Sequence, residues 1–248
     1  MSDNTRFTQA VEITTAAYDR AARNYAERND ALRPLWRERM DRFVELLDAN
    51  ERDRPIPPLG RPGDDISLDD YLMFFPVLDA GCGSGRDARA LAAHNLPILG
   101  VDISQGMLSE AGERTARRLS RGAIRYALMD LRRLDLPDAS CRGVWCSASL
   151  LHLPRATAPR AVAELARVTR TGGPIAIFVK VRGADVAEGF EPYPVPGITD
   201  LPRFFTYYTP EEARALVEGA GLDVLDLTVA EDGRPNAPDW IALLARRP

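Results

Sequence analysis

In residues 34–47, Trp36, Met40, Phe43 and Leu47 recur at spacings of four, three and four, a single apolar stripe that predicts a helix with one packed face. That stripe can close a lid over the rest of the chain or pair with a second copy. Upstream, Tyr18 and Tyr25 lie seven apart and share a face with Ala21 and Ala22, which predicts a first helix. Residues 51–65, "ERDRPIPPLGRPGDD", hold four prolines and two glycines and cannot continue either pattern, so they read as a linker or flap.

From residue 76 short apolar runs ("PVLDA", "PILGVD", "IRYALMD", "GVWCSAS", "PIAIFVK") alternate with segments of helical period, the signature of a parallel sheet covered on both faces. Pro76 and Pro97 fall at the first position of their strands, where a missing donor is tolerated. A helix is expected over about 154–170, with Ala161, Leu165 and Val168 on one side and "TGG" as its stop. In "TPEEARALVEGAG", Thr209 is placed as a cap, Pro210 at the first helical position and Glu212 to complete a capping box. Two final runs, "LDVLDLTV" and "WIALLARR", are joined too closely for a crossover and form an antiparallel pair. The expected fold is α/β: a doubly wound, mostly parallel seven-stranded sheet with an antiparallel last strand, preceded by a helical lid. Residues 1–66 are expected to be lid and Pro-rich linker, and 67–248 the main domain with an insertion at about 182–208.

Composition narrows the class. With 45% apolar residues in 248, the chain can bury a full core. A formal charge of −4 excludes a protein whose affinity comes from neutralising phosphates, so nucleic acid is not expected as a partner. The seven arginines between Arg114 and Arg133 read as a solvated helix face with cations in its last turns. Nearly every basic residue is arginine, Lys180 being the only lysine, as in a GC-rich bacterial genome. No run approaches a membrane span and no signal pattern opens the chain, so a cytoplasmic location is expected. Cys82, Cys141 and Cys146 make no CxxC pair and only His94 and His152 accompany them, so no metal site is expected.

The chemistry concentrates in "VLDAGCGSGRD", residues 77–87. Glycines at 81, 83 and 85 remove side chains where the first strand turns into its helix, the place where a parallel sheet offers backbone donors to a ligand. Arg86 stands where a dinucleotide fingerprint needs glycine, and a pyrophosphate would meet the carboxylate of Asp79. A ligand cationic on that side suits the loop better. S-adenosylmethionine, with an ammonium and a sulfonium, is one. The same letters also serve a plain tight turn. Asp102 closes the second strand about twenty residues on, where a carboxylate accepts both ribose hydroxyls, or where it caps the next helix. Asp130 closes the third, within reach of an adenine amine.

Together "VLDAGCGSG", "GVDIS", "MDLRRLDLPDASCRGVWCSASLLHLP", "AELARVTRTGGPIAIF" and "YYTPEEARALVEGAGLDVLDL" resemble the class I S-adenosylmethionine-dependent methyltransferases, in the bacterial small-molecule style with amino-terminal lid helices like "YDRAARNYA". The resemblance runs over roughly residues 14–247. It implies a Rossmann-like sheet and S-adenosylmethionine as cofactor. It places Asp79, Gly81, Gly83 and Gly85 around the methionine part, Asp102 and Ile103 by the ribose, Met129, Asp130 and Leu131 by the adenine, Ser147 on the floor and Tyr18 over the cofactor. "LMFFP" before the first strand and "LLH", which leaves His152 alone, depart from the family pattern.

The implied reaction is methyl transfer to an oxygen or nitrogen of a small molecule, a secondary metabolite among the options. The alternative is a protein that binds S-adenosylmethionine or S-adenosylhomocysteine for regulation or assembly without turnover. His152, titrating near neutrality, is the candidate general base, or else a histidine that caps or packs; His94 reads as structural. Residues 190–208 hold six of the eighteen aromatics, so Tyr207 and Tyr208 contact substrate or belong to a strand packed on the core, with Tyr25 a further substrate candidate. Neither an Asp/Asn-Pro-Pro-aromatic stretch nor a Pro-Cys nucleophile is present, which again argues against nucleic-acid methylation. A monomer or a homodimer fits equally.

Overall fold

The computed structural model describes residues 3–32, 34–47, 67–73, 75–117, 124–183, 186–192, 202–232 and 239–248; the Pro-rich stretch 51–65 and residues 193–201 lie outside the described residues. Strands β1 (Val77–Ala80), β2 (Ile98–Asp102), β3 (Ile124–Leu128), β4 (Gly143–Ser147) and β5 (Pro174–Val181) run parallel. The inner strands β1, β2, β4 and β5 are apolar and buried through most of their length, because a strand covered on both faces has no solvent side to supply with polar residues. At the edge, β3 is only half-buried and carries Arg125. Pro76 and Pro97 stand one residue ahead of β1 and β2 rather than inside them. Between them lie α4 (Arg86–Ala92), α5 (Gln105–Ala116) and α6 (Ala158–Val168), the last starting four residues later than its period suggested. Residues Leu150–His152 form a 3₁₀ turn instead.

The carboxyl half closes the sheet. After α7 (Pro210–Glu218), opened by the reciprocal capping box of Thr209 and Glu212, β8 (Asp223–Ala230) pairs antiparallel with β9 (Trp240–Arg246), and β9 lies antiparallel on β5 from Pro174↔Arg246 to Lys180↔Trp240. Seven strands thus run β3-β2-β1-β4-β5-β9-β8. Two more extend them. Strands β6 (Glu188–Glu191) and β7 (Arg203–Tyr208) form a hairpin whose second strand adds to the far end of β5 at Lys180↔Tyr207 and Val181↔Tyr208. It stands at the strand tips beside the point between β1 and β4 where strand order reverses, the crevice in which open α/β sheets bind ligands.

The amino-terminal helices α1 (Asp3–Arg28) and α2 (Pro34–Leu46), with the short α3 (Leu68–Leu72), pack onto this frame. Trp36, Met40, Phe43 and Leu47 are all buried in this chain's own core, so the stripe of α2 is not an open face for a second copy. Trp36 stacks on Phe178 with centroids 5.3 Å apart and meets Trp240 edge-on at 5.0 Å, while Phe43 meets Trp145 at 5.4 Å. Burial of each such side chain contributes about 1.5–3 kcal/mol. Helix α1 crosses from α5 to β7. Asp19 Oδ1 accepts from the Ser104 hydroxyl at 2.6 Å and the Gly106 N–H at 2.8 Å, a carboxylate at the positive end of α5, and Thr14 Oγ1 accepts from the Phe204 N–H at 2.9 Å. Among the described residues no helix is long and apolar enough to cross a membrane.

Candidate active site

The turn from β1 into α4 is built around glycines in the left-handed region. Gly81 has φ +74°, and a Cβ there would come within 2.2 Å of the Ser149 Cβ. Ser149 in turn donates to the Ala80 carbonyl at 2.7 Å, which ties the turn to the end of β4. Gly81→Ala is expected to cost about 2–5 kcal/mol through the disfavoured backbone and the overlap, read as a lowered urea midpoint with unchanged slope. Gly83 is different: open space surrounds its Cβ position, so its backbone borders the cleft. Gly85 does not line the cleft; it caps α4 at φ +73°, and its missing Cβ makes room for the Tyr126 hydroxyl, 2.4 Å away.

Four carboxylates line the cleft at this end. Asp79 is buried, and its Oδ2 has no hydrogen-bond partner among the described residues. Burial, then the charge of Asp87, pushes its carboxyl well above the ordinary carboxylate range. Asp87, a residue not singled out from the sequence, is compensated: Arg86 grips it at 2.6 and 3.1 Å and the Trp145 indole donates at 3.0 Å, so it stays below its ordinary value despite burial. Asp102 ends β2, accepting from Gly83 N–H at 2.8 Å and from Ser104 N–H at 2.9 Å. Burial outweighs those donors, and its carboxyl is pushed up. Helix capping there falls to Ser104, whose hydroxyl accepts from Met107 N–H.

Asp130 lies two residues past β3, not at its end. Burial opposes its charge, yet the Arg132 side chain, at 2.6–3.0 Å, and the Arg132 N–H hold its carboxyl below the usual value. Met129, Leu131 and Ile103 add apolar lining beside it, and Ser147, at the end of β4, accepts the Trp36 indole N–H at 2.5 Å.

Opposite the acids, α1 and β7 close the cleft over His152. The His152 Nδ1 lies 2.7 Å from the Phe204 carbonyl, which only accepts; Nδ1 therefore carries the proton and Nε2 is the bare nitrogen. Tyr18 donates its hydroxyl proton to that Nε2 at 2.8 Å, and Arg203 donates to the Tyr18 oxygen at 3.1 Å. Tyr25 packs edge-on to Tyr18 at 5.4 Å and also borders the cleft. The expectation that His152 titrates near neutrality is corrected: burial, with the charges of Arg203 and Lys180 nearby, pushes its pKa down to about 3.

Tyr207 and Tyr208 do not line the cleft. Tyr207 shares the face of Phe205 but lies farther along β7, its hydroxyl on Glu191, while Tyr208 is buried under Arg155, whose Cζ is 4.9 Å from the ring centroid. From the same stretch Arg203 and Phe205 line it instead, joined by Lys180 and Trp36. Sequence signals for these existed: Lys180 is the only lysine and ends a strand, and Arg203 opens the aromatic run. His94 does not line the cleft and lies 3.8 Å from Asp41.

Residues 77–173 match a family model described as a methyltransferase domain. Methyltransferase GfsG of Streptomyces halstedii is 35% identical over 193 residues, 74% of this chain and 67% of that protein. A malonyl-[acyl-carrier protein] O-methyltransferase of Serratia marcescens is 30% identical over 173 residues, 70% of this chain and 54% of that one. The chain thus spans between about half and two thirds of these curated relatives. Among solved structures, the Burkholderia thailandensis 1,6-didemethyltoxoflavin-N1-methyltransferase, crystallised with its acceptor and S-adenosylhomocysteine, shares the fold with a TM-score of 0.64 at 18% identity, over 97% of this chain and 90% of that one. The matched segment carries the glycine turn and all four cleft carboxylates, and with a relative this similar over most of the chain, it follows that the chain belongs to the class I S-adenosylmethionine-dependent methyltransferases.

Proposed function

We propose that this chain transfers a methyl group from S-adenosylmethionine to an oxygen or nitrogen of a small molecule. The observation that carries this reading is the Asp79 carboxylate, buried at the glycine turn with an oxygen that no described residue satisfies. A buried anion facing a cleft is costly until a cation joins it, and the ammonium of the cofactor's methionine end is such a cation. The open backbone at Gly83 lets that end approach, Asp102 takes the ribose hydroxyls, and Ile103, Met129 and Leu131 flank the base with Asp130 at its edge, oriented by Arg132. Ser147 forms the floor. In this reading residues 1–66 serve as lid and linker, with Tyr18 and Tyr25 on the lid, and the insertion at 182–208 walls the acceptor side of the 67–248 domain.

When bound, the cofactor supplies a methyl already activated on a sulfonium, which leaves the protein alignment, water exclusion and proton handling. His152, kept neutral by burial, serves the first: the Phe204 carbonyl fixes its tautomer, and its bare Nε2 accepts from the Tyr18 hydroxyl, whose oxygen is thereby turned toward the acceptor. The test is purified protein with isotopically labelled S-adenosylmethionine and a panel of small hydroxyl and amine acceptors, followed by mass detection of S-adenosylhomocysteine and methylated product. Tight S-adenosylhomocysteine binding with no turnover on any acceptor would favour a binding protein without transferase activity.

Asp102→Ala is expected to weaken S-adenosylhomocysteine binding by about 2–3 kcal/mol, because a charged acceptor for two hydroxyls is lost along with the Gly83 anchor. Calorimetry returning wild-type affinity would remove Asp102 from the site.

A further inference from the structure

Arg86 stands where a dinucleotide fingerprint would have its last glycine, and it lines the cleft beside Asp79 and Asp87. Its guanidinium is held in place. Nε and Nη2 grip Asp87 at 2.6 and 3.1 Å, the Trp145 indole anchors Asp87 at 3.0 Å, and the Trp36 ring of α2 has its centroid 5.9 Å from Cζ. Among the described residues Nη1 makes no hydrogen bond, and it is not one of their sealed, unsatisfied atoms, so its two N–H groups open on the cleft. Burial opposes the charge, but Asp87 and, less strongly, Asp79 hold the pKa above its ordinary value. The guanidinium therefore stays charged, within the field of Asp79.

One stretch of cleft wall thus presents a bare carboxylate oxygen, on Asp79, and two spare donors, on Arg86. A ligand with positive charge alone satisfies the first and is repelled by the second, and a pyrophosphate does the reverse. An ammonium and a carboxylate on one carbon, the head group of an α-amino acid, satisfy both. Resting on the methyl-transfer reading above, we propose that Arg86 is a specificity-determining residue for the methionine end of the cofactor, its Nη1 donating to the ligand carboxylate while Asp79 accepts from the ammonium. Asp87 serves by fixing the plane of the guanidinium, which leaves little freedom to lose on binding. The site then recognises an amino acid joined to a nucleoside, and discriminates against a nucleoside that carries only a cation.

Calorimetry on the full chain tests this with three ligands: S-adenosylhomocysteine, its decarboxylated analogue, which keeps the ammonium, and 5′-methylthioadenosine, which has neither group. Wild type is expected to bind S-adenosylhomocysteine about tenfold or more tighter than the decarboxylated analogue. In Arg86→Gln that ratio should fall to within about threefold, through lost S-adenosylhomocysteine affinity with the analogue's nearly held. A residue that only props Asp87 would weaken both ligands alike and leave the ratio standing. Thermal unfolding monitors the fold. Should Arg86→Gln not fold, Arg86→Lys decides: one ammonium cannot grip Asp87 through two bonds and meet a second carboxylate in the same geometry, so its ratio should fall about threefold or more. A wild-type ratio within about threefold, or one that survives the substitution, would overturn the inference. Binding of neither S-adenosylhomocysteine nor 5′-methylthioadenosine to wild type would instead sink the methyl-transfer reading.

Discussion

Replacing Asp79 by asparagine is expected to weaken S-adenosylhomocysteine binding by about 3 kcal/mol, roughly a hundredfold, and at the same time to stabilise the ligand-free protein. The two effects share one cause. Asp79 is a buried carboxyl near Asp87 and Asp102, raised well above its ordinary value of 3.8 by burial first and the Asp87 charge second. Between 3.8 and the raised value the folded chain keeps a proton that the unfolded chain has released, so stability falls as pH rises through that window. Asparagine has no proton to lose. Urea titrations without ligand should therefore place Asp79→Asn above wild type at neutral pH, with the gap closing on acidification below the ordinary carboxyl value. Unchanged ligand affinity, or a variant less stable than wild type at neutral pH, would mean that Asp79 is satisfied without a ligand cation.

His152→Ala is expected to lower kcat by about 10² while leaving S-adenosylhomocysteine affinity in place, since the imidazole orients the Tyr18 hydroxyl and does not hold the nucleoside. The pH dependence tests its burial. With its pKa pushed down to about 3 by burial, His152 stays neutral through the whole working range, so it contributes no acid limb near 6.5 to the rate profile. Tyr18→Phe should reproduce part of the loss, because it removes the hydroxyl that reaches Nε2. An acid limb near 6.5 in the wild-type profile would contradict the burial of His152. A His152→Ala rate equal to wild type would reduce the residue to packing between Phe204 and Tyr18.

Much of this arrangement is local in sequence and was legible there. Asp79, Gly81, Gly83 and Asp102 lie within one strand-turn-helix-strand unit, where backbone geometry alone carries each residue to the cleft. The stripe from Trp36 to Leu47 was visible as a stripe, and the Thr209 cap as a cap, because helical period and capping depend on neighbours three or four residues away. Local reading fails where the answer depends on a distant partner. Gly85 looks like its two neighbours, yet Tyr126 from β3 makes it a packing position. Tyr207 and Phe205 share a strand face, and only the seating of β7 on the end of β5 decides that Phe205 reaches the cleft while Tyr207 passes beyond it.

The sequence by itself thus determined the alternation of strands and helices, the glycine turn with Asp79 before it and Asp102 at the end of β2, and the family. Tertiary structure alone decided the chemistry of the cleft wall opposite the acids. His152, Tyr18, Lys180 and Arg203 come from four separate elements, Tyr18 and His152 being 134 positions apart, and neither their meeting nor the neutral state of His152 is written in any local pattern. Periodicity reports which face a side chain takes, but charge, tautomer and pKa follow from what other segments bring against that face, and those distances exist only once the chain has folded.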